Sequence, residues 1–282
     1  MNIRHAELVL VSTPIGNLGD LSGRAVEALR DAALICCEDT RRTGRLLAHA
    51  GISGVRMAVA NEHTEAARVD EVVALLAGGS SVALVTDAGT PGISDPGSRL
   101  VRAVIDAGHR VSAVPGPTAL VMALVISGFD TTRFVFEGFL PRSGRERTNR
   151  LAAAAEETRT WVLYEAPHRI ERTVADLAAA CGGDRRIVLA RELTKLHEDT
   201  WRGTLAGAVE HLVTAPPRGE YVVVVEGRPP PVEPSDDDVR EALLMSLRSG
   251  ADRRTAVATV VTALRVSKRR VYDLALLLPR GR

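Results

Sequence analysis

The stretch SVALVTDAGTPGISDPGSRLVRAVIDAGHRVSAVPG, residues 81–116, decides how the chain is read. It opens on SVALVT (81–86), a short valine-rich apolar run that reads as a buried strand, and closes on a second such run, RVSAVPG (110–116). Between them the pattern is helical over 96–107, where Leu100, Val101, Val104 and Ile105 form one apolar stripe. Asp95 is placed to cap that helix, Pro96 suits its first turn and Gly108 its end. Strand, helix and strand in this order form a parallel crossover, so a parallel sheet covered on both faces is expected. The connection 87–97 is longer and stiffer than a strand-to-helix turn needs, since roughly two to six residues suffice.

The alternation continues in both directions. Upstream, strands are expected at ELVLVS (7–12), ALICCE (33–38) and VRMAVA (55–60), with helices over 22–33, 41–50 and 63–77. Downstream, ALVMALVIS (119–127) is apolar nearly all round and is expected to be a buried helix. Strands recur at RFVFEGF (133–139), RTWVLYE (159–165), RRIVLAR (185–191) and EYVVVVEG (220–227). The fold class is therefore α/β, with one lobe over 1–114 and a second over 115–228. RPPPVEPSDDD is proline-rich and acidic, which places a linker at 229–235. The remainder, 236–282, is helical throughout and forms a small all-α domain. Within it DRRTAVATVVTALRVSKRRVYDLALLL reads as a helix-turn-helix: one helix ends near Leu264, the turn runs through Arg265 and Val266, and the second helix starts at Ser267. Val271, Leu274, Ala275 and Leu278 fall on its inner face.

Composition excludes several classes. The 282 residues are 45% apolar and 25% charged with a net charge of +1, as in a soluble globular protein. No apolar run reaches a membrane span, and MNIRHAELVL lacks a signal-peptide cleavage pattern, so a cytoplasmic location is expected. Cys36, Cys37 and Cys181 are odd in number and lack CxxC spacing, which argues against a disulfide framework and a zinc site. No metal is expected. Of 36 basic residues only Lys195 and Lys268 are lysine, and of the two types only lysine is readily deprotonated.

Ligands of open α/β sheets bind beyond the carboxyl ends of the strands. Three glycine- or proline-rich segments lie at such ends: STPIGNLGD (12–20), DAGTPGISDPG (87–97) and PGPTAL (115–120). None fits GxGxxG or the P-loop, which disfavours NAD-linked and ATP-driven chemistry. Glycines allow close approach of backbone to ligand, and prolines hold the path. Residues 87–92 therefore read as a ligand site in which Asp87 accepts from hydroxyl or ammonium donors, while Asp95 reads as a helix cap.

TPIGNLGD, CEDTRRTGRLL, DAGTPGISDPG, PGPTAL, EGFLPR, YEAPHR and ARELTK, in this order, resemble the bacterial ribose 2′-O-methyltransferases that act on a cytidine of small-subunit (16S) ribosomal RNA. These form a branch of the tetrapyrrole methylase (class III methyltransferase) family. The resemblance spans about residues 7–227, and the tail resembles the small helical domain that ends many of these proteins. It implies S-adenosylmethionine bound, folded, between two α/β lobes, and action as a homodimer. Carried onto this chain, Pro14, the loop Asp87, Ala88, Gly89, Thr90, Pro91 and Gly92, and the turn with Pro115, Thr118 and Ala119 line the cofactor cleft. The second lobe adds Phe139, Leu140, Tyr164 and Ala190. Porphyrin-methylating members typically carry a GxGPG first loop, and this chain has STPIGNLGD there.

Methyl transfer from a sulfonium to a ribose hydroxyl is an in-line displacement, for which the protein aligns the hydroxyl and removes its proton. Candidate groups lie in CEDTRR (Glu38, Asp39, Arg41, Arg42), YEAPHR (Glu165, His168, Arg169) and RELTK (Glu192, Lys195). Arg42 and Glu165 read as structural ion pairs, and His168 as a surface or capping residue. A lysine at a strand end stands out in an arginine-dominated chain. Lys195 with a lowered pKa, or Asp39, is the expected proton acceptor, and Arg41 and Arg169 are expected to hold phosphate or ribose.

RSGRERTNR (142–150) reads as a basic loop beside the cleft, so Arg142, Arg145 and Arg147 are expected phosphate contacts. Lys268, Arg269 and Arg270 crowd the first turn of a helix, where positive charge opposes the helix dipole and points to a phosphate-bearing partner. Aromatic residues make up 3% of the chain, which fits recognition of RNA backbone and shape rather than base stacking. Two other classes compete. A small-molecule methylase of the tetrapyrrole type gives these basic segments no role. A ligand-sensing regulator would use the helix-turn-helix on DNA, and specific operator binding at physiological salt would mark it.

Overall fold

Residues 6–61, 63–230 and 233–278 are described by a computed structural model. The leader reading at residues 1–5 and the linker positions Pro231 and Val232 lie outside them, as do the chain's last four residues. The chain divides into two units that part between Arg228 and Pro229.

The larger unit begins with β1 (Glu7–Val11), α1 (Gly23–Asp31), β2 (Leu34–Cys37), α2 (Thr40–His49), β3 (Met57–Val59), α3 (Val69–Ala77), β4 (Val82–Leu84), α4 (Ser98–Asp106) and β5 (Arg110–Val114). The strands form one sheet in the order β3-β2-β4-β1-β5, every pair parallel. The inner strands β2 and β4 show no polar alternation because both their faces are covered. Leu34, Cys36, Val82 and Leu84 pack on one side with Val72, Leu76, Leu100 and Val104. Ile35, Cys37, Ala83 and Val85, the residues between, pack on the other with Ala25, Leu29 and Leu47.

Asp95 does not cap α4. The N-cap is Gly97, at φ 131°, and it offers no side chain to the helix. A Cβ on Gly97 would lie 2.8 Å from Leu84 Cδ2, so the chain needs glycine there. The cap comes instead from Glu65, in the short 3₁₀ turn Glu65–Arg68 that replaces the start of the expected helix over 63–77. Its buried carboxylate accepts from Leu100 N at 2.6 Å, the bond an N-cap side chain would otherwise make. Glu65→Ala is expected to cost about 1–2 kcal/mol, read as a lower midpoint in urea unfolding.

The second sheet combines β6 (Phe134–Phe139), β7 (Thr160–Glu165), β8 (Arg186–Arg191), β9 (Asp199–Thr204) and β10 (Tyr221–Val225) in the order β6-β7-β10-β8-β9. Only β6 and β7 are parallel, and the other pairs are antiparallel. The helices α6 (Gly144–Glu156), α7 (Ile170–Cys181) and α8 (Leu205–Thr214) cover the face that carries Leu163, Leu189 and Val223. The other face, with Val162, Val188 and Val222, packs on α5 (Ala119–Ser127). That helix is not wholly buried, contrary to its composition. Leu120, Ala123 and Leu124 face the sheet, while Val121, Met122, Val125 and Ile126 are 38–57% exposed.

The basic segment 142–150 is not a loop: α6 begins at Gly144. Arg147 is buried rather than offered to RNA, because one turn into a helix it faces α7. There it pairs with Asp176 at 2.7 Å and donates to Pro141 O and Thr173 Oγ1. Arg142 and Arg145 are exposed.

The smaller unit is three helices, α9 (Asp236–Arg248), α10 (Arg253–Leu264) and α11 (Lys268–Leu276), around Val239, Leu243, Val257, Val260, Val271 and Leu274. Ser235 and Asp238 form a capping box at the start of α9. Arg265 turns the chain at φ 52°, and Ser267 caps α11 by accepting from Arg270 N. The Arg270 side chain is not offered outward. It pairs with Asp236 at 2.8 Å and donates to Pro234 O, so part of the charge in this turn is balanced within the unit. Lys268 and Arg269 are exposed.

Candidate functional site

The three loops at the strand ends of the first sheet are tied into one wall. Thr13 and Gly89 exchange backbone hydrogen bonds of 2.9 and 3.1 Å. The Thr90 hydroxyl lies 3.0 Å from Ser12 Oγ and 2.7 Å from Thr118 Oγ1, so one side chain joins the loop after β1, the loop after β4 and the turn before α5. The second sheet meets this wall through Tyr164, whose hydroxyl accepts from Leu120 N at 3.1 Å. Phe136 and Phe139 stand edge-on to the Tyr164 ring.

Between wall and second sheet lies a cleft of about 470 Å³. Asp87, Ala88, Gly89, Thr90, Thr118 and Ala119 line it, as do Phe139, Tyr164, Ala190, Glu192 and Lys195. Five of the expected cofactor residues are not among the lining. Pro14 and Pro91 are buried in the loops, Gly92 and Pro115 are exposed outside the cleft, and Leu140 packs in the core beneath α6 and α7. The sequence reading missed Ile15, Ser94 and Asp95 on one side and Ala166, Pro167 and Leu193 on the other. Asp95 was reachable only by noticing that Gly97 can serve as N-cap without it.

The electrostatics sort the candidate proton acceptors. Asp39 caps α2 and pairs with Arg41 at 2.9 Å, and these hydrogen bonds hold its carboxyl down at about 2, too weakly basic to take a hydroxyl proton. Neither residue lines the cleft, and the Arg41 side chain is 86% exposed. Lys195 is not a lowered-pKa base either. Partial burial works against its charge, but hydrogen bonds to Glu192 and Glu220, each 2.8 Å, outweigh burial and raise its pKa. Glu192 is correspondingly lowered: partial burial opposes its charge, but the Lys195 hydrogen bond and Glu220 N outweigh burial. Arg169 donates to Leu140 O and pairs with Glu165 at 3.2 Å. Glu165 is buried and also accepts from Thr173 Oγ1 at 2.6 Å and Ala166 N at 2.9 Å.

Asp87 is different. One of its oxygens pairs with Arg42 at 3.3 Å, and the other, Oδ1, is buried and has no hydrogen-bond partner among the described residues. Burial and then Glu38 push its pKa up, against the pull of Arg42. Unmatched buried acceptors are rare in folded proteins. Among the described residues no group of three or more His, Cys, Asp or Glu side chains could hold a metal ion.

Residues 7–209 match the family of Tetrapyrrole (Corrin/Porphyrin) Methylases. A Synechocystis protein named ribosomal RNA small subunit methyltransferase I is 45% identical over 95% of this chain and 97% of its own. A Pseudomonas aeruginosa protein of the same name is 43% identical over 95% and 96%. A solved cobalt precorrin-4 methyltransferase has a TM-score of 0.59 at 16% identity, over 80% of this chain and 97% of that one, which is a likeness of fold. Family match and relatives thus make the chain a methyltransferase. The chain belongs to the tetrapyrrole methylase family.

Proposed function

We propose that the protein transfers a methyl group from S-adenosylmethionine to the ribose 2′-hydroxyl of a cytidine in small-subunit ribosomal RNA. Small-subunit ribosomal RNA as the substrate rests on the relatives, whose names state it, and the cytidine 2′-hydroxyl on the resemblance of the motifs. The donor site rests on one observation, the unpartnered Asp87 Oδ1 in the wall of a cleft whose volume suits a nucleoside-sized ligand. S-adenosylmethionine, when bound, supplies an activated methyl. Asp87 would accept from its hydroxyl or ammonium donors, and Phe139, Tyr164 and Val222 offer apolar and ring surface to its uncharged parts. Asp87→Ala is expected to weaken cofactor binding by at least about tenfold, measured by calorimetry, with an unchanged circular dichroism spectrum.

Exposed Arg142 and Arg145 near the end of β6, with Lys268 and Arg269 on the helical unit, are the RNA phosphate contacts of this reading. A second copy of the chain covers the exposed apolar face of α5, which makes the enzyme a homodimer. No helix among the described residues is long and apolar enough to cross a membrane, in keeping with work on ribosomal RNA in the cytoplasm. The test offers labelled S-adenosylmethionine with unmodified small subunits, deproteinised ribosomal RNA or a tetrapyrrole acid. Label in alkali-resistant 2′-O-methylcytidine supports the reading. Label on the tetrapyrrole alone moves the function to small-molecule methylation, and cofactor binding with no transfer at all leaves a sensor.

A further inference from the structure

Three carboxylates, Glu38, Asp87 and Asp95, converge on the first-sheet side of the cleft. Asp87 has Arg42 as its counter-ion at 3.3 Å. No ion pair among the described residues includes Asp95. The groups that face it are Glu38 after β2, Thr86 and Asp87 after β4, and the Tyr164 phenol from β7, so its charged neighbours are all acidic.

Thr86 stands between two of these carboxylates. Its hydroxyl donates to Glu38 Oε2 at 3.1 Å and also bears on Asp95, whose charged form it favours. The backbone holds it at the cleft between Ser94, at φ 61°, and Gly97. Ser94 Oγ abuts Gly138, where an added Cβ would lie 3.3 Å away, so this segment reaches the strand that carries Phe139.

We propose that Asp95 is the catalytic base, taking the proton of the substrate hydroxyl during methyl transfer; this rests on the ribose-methylation reading above. The hydroxyl oxygen forms its bond to the methyl carbon as that carbon's bond to sulfur breaks, and the bonding pair leaves on sulfur. The hydroxyl proton passes to a carboxylate oxygen of Asp95, which later releases it to water. Desolvation first, then Glu38 and Asp87, raise Asp95 to about 6, against a hydrogen bond from Thr86. The group is therefore ionised at neutral pH yet more basic than an ordinary carboxylate, the compromise a general base requires.

The full chain, with S-adenosylmethionine and the RNA substrate, is compared with Asp95→Asn and Asp95→Glu. Cofactor affinity is measured by calorimetry and kcat/KM is followed between about pH 5 and pH 9. Asp95→Asn is expected to bind cofactor as the wild type does and to transfer methyl about 100- to 10,000-fold more slowly. Its profile should lack the wild-type acidic limb near pH 6, and Asp95→Glu should recover part of the rate with the limb displaced. A rate within tenfold of wild type, or an unchanged acidic limb in Asp95→Asn, overturns the proposal. So does a rate loss matched by lost cofactor affinity. If the wild type moves no label to RNA, the reaction reading itself fails, an outcome separate from the behaviour of the variants.

Discussion

Arg147→Met is expected to lose about 3–5 kcal/mol of stability, with a thermal midpoint lower by roughly 10 °C. The guanidinium lies inside the second lobe with its side chain only 5% exposed, and each of its three nitrogens donates. Nε and Nη2 reach Asp176 at 2.9 and 2.7 Å, Nη1 reaches Pro141 O at 2.9 Å, and Nη2 also reaches Thr173 Oγ1 at 3.2 Å. Thr173 in turn donates to Glu165, which lines the cleft. Methionine fills most of the volume and supplies no donor, so Asp176 keeps only its longer pairing with Arg172 at 3.8 Å and the Pro141 carbonyl goes unmatched. Arg142→Ala and Arg145→Ala should leave the melting curve in place. They should instead weaken RNA binding and flatten its dependence on salt. A melting point for Arg147→Met within a degree or two of wild type would refute the assignment of this arginine to the interior.

Asp95→Asn is expected to stabilise the protein by about 2 kcal/mol at pH 8 and to change nothing at pH 4. The native pKa of about 6 exceeds the ordinary value of 3.8. Below pH 4 the group is protonated folded or unfolded and contributes no difference. Between pH 4 and pH 6 the folded state binds more proton, so its stability falls as pH rises. Above pH 6 the penalty is complete. Two pKa units would amount to about 3 kcal/mol, reduced to about 2 because solvent partly screens a half-exposed group. Asparagine cannot ionise, so the gap between the two proteins in denaturant titrations should open over that window. A gap independent of pH would show that Asp95 carries no such penalty. Strain of this sign, kept at a site where it hinders folding, is the usual mark of chemistry taking precedence over stability.

Much of the architecture was legible because local patterning and tertiary need agree. Valine-rich runs in the first lobe match its parallel strands to within two residues, and the glycine-rich loops after β1 and β4 do lie at a cleft. What was not legible depends on long-range partners. The cap of α4 comes from Glu65, 35 residues away from the amide it serves, and nothing near Asp95 announces that the nearer carboxylate is released. The strand DTWRGT, at the edge of the second sheet, has half-exposed polar residues and a glycine in place of an apolar alternation. The lobe's mixed strand order has no local signature either. Arg147 did leave one: Arg147, Leu151 and Ala154 share a helical stripe, which a reading by charge alone overlooked.

The hydroxyl junction at Thr90 bears on how such a sequence drifts. Ser12 lies 78 residues before Thr90 and Thr118 lies 28 after it, in crossover units that otherwise accept substitutions independently. Exchange of Thr90 for valine strips a partner from both others, and exchange of Ser12 or Thr118 strips one from Thr90, in contacts that are part-buried. Selection therefore meets these positions as one inherited trait rather than three. A lineage that reshapes the pocket for another methyl acceptor must change the trio together or leave it untouched and vary the opposite lobe.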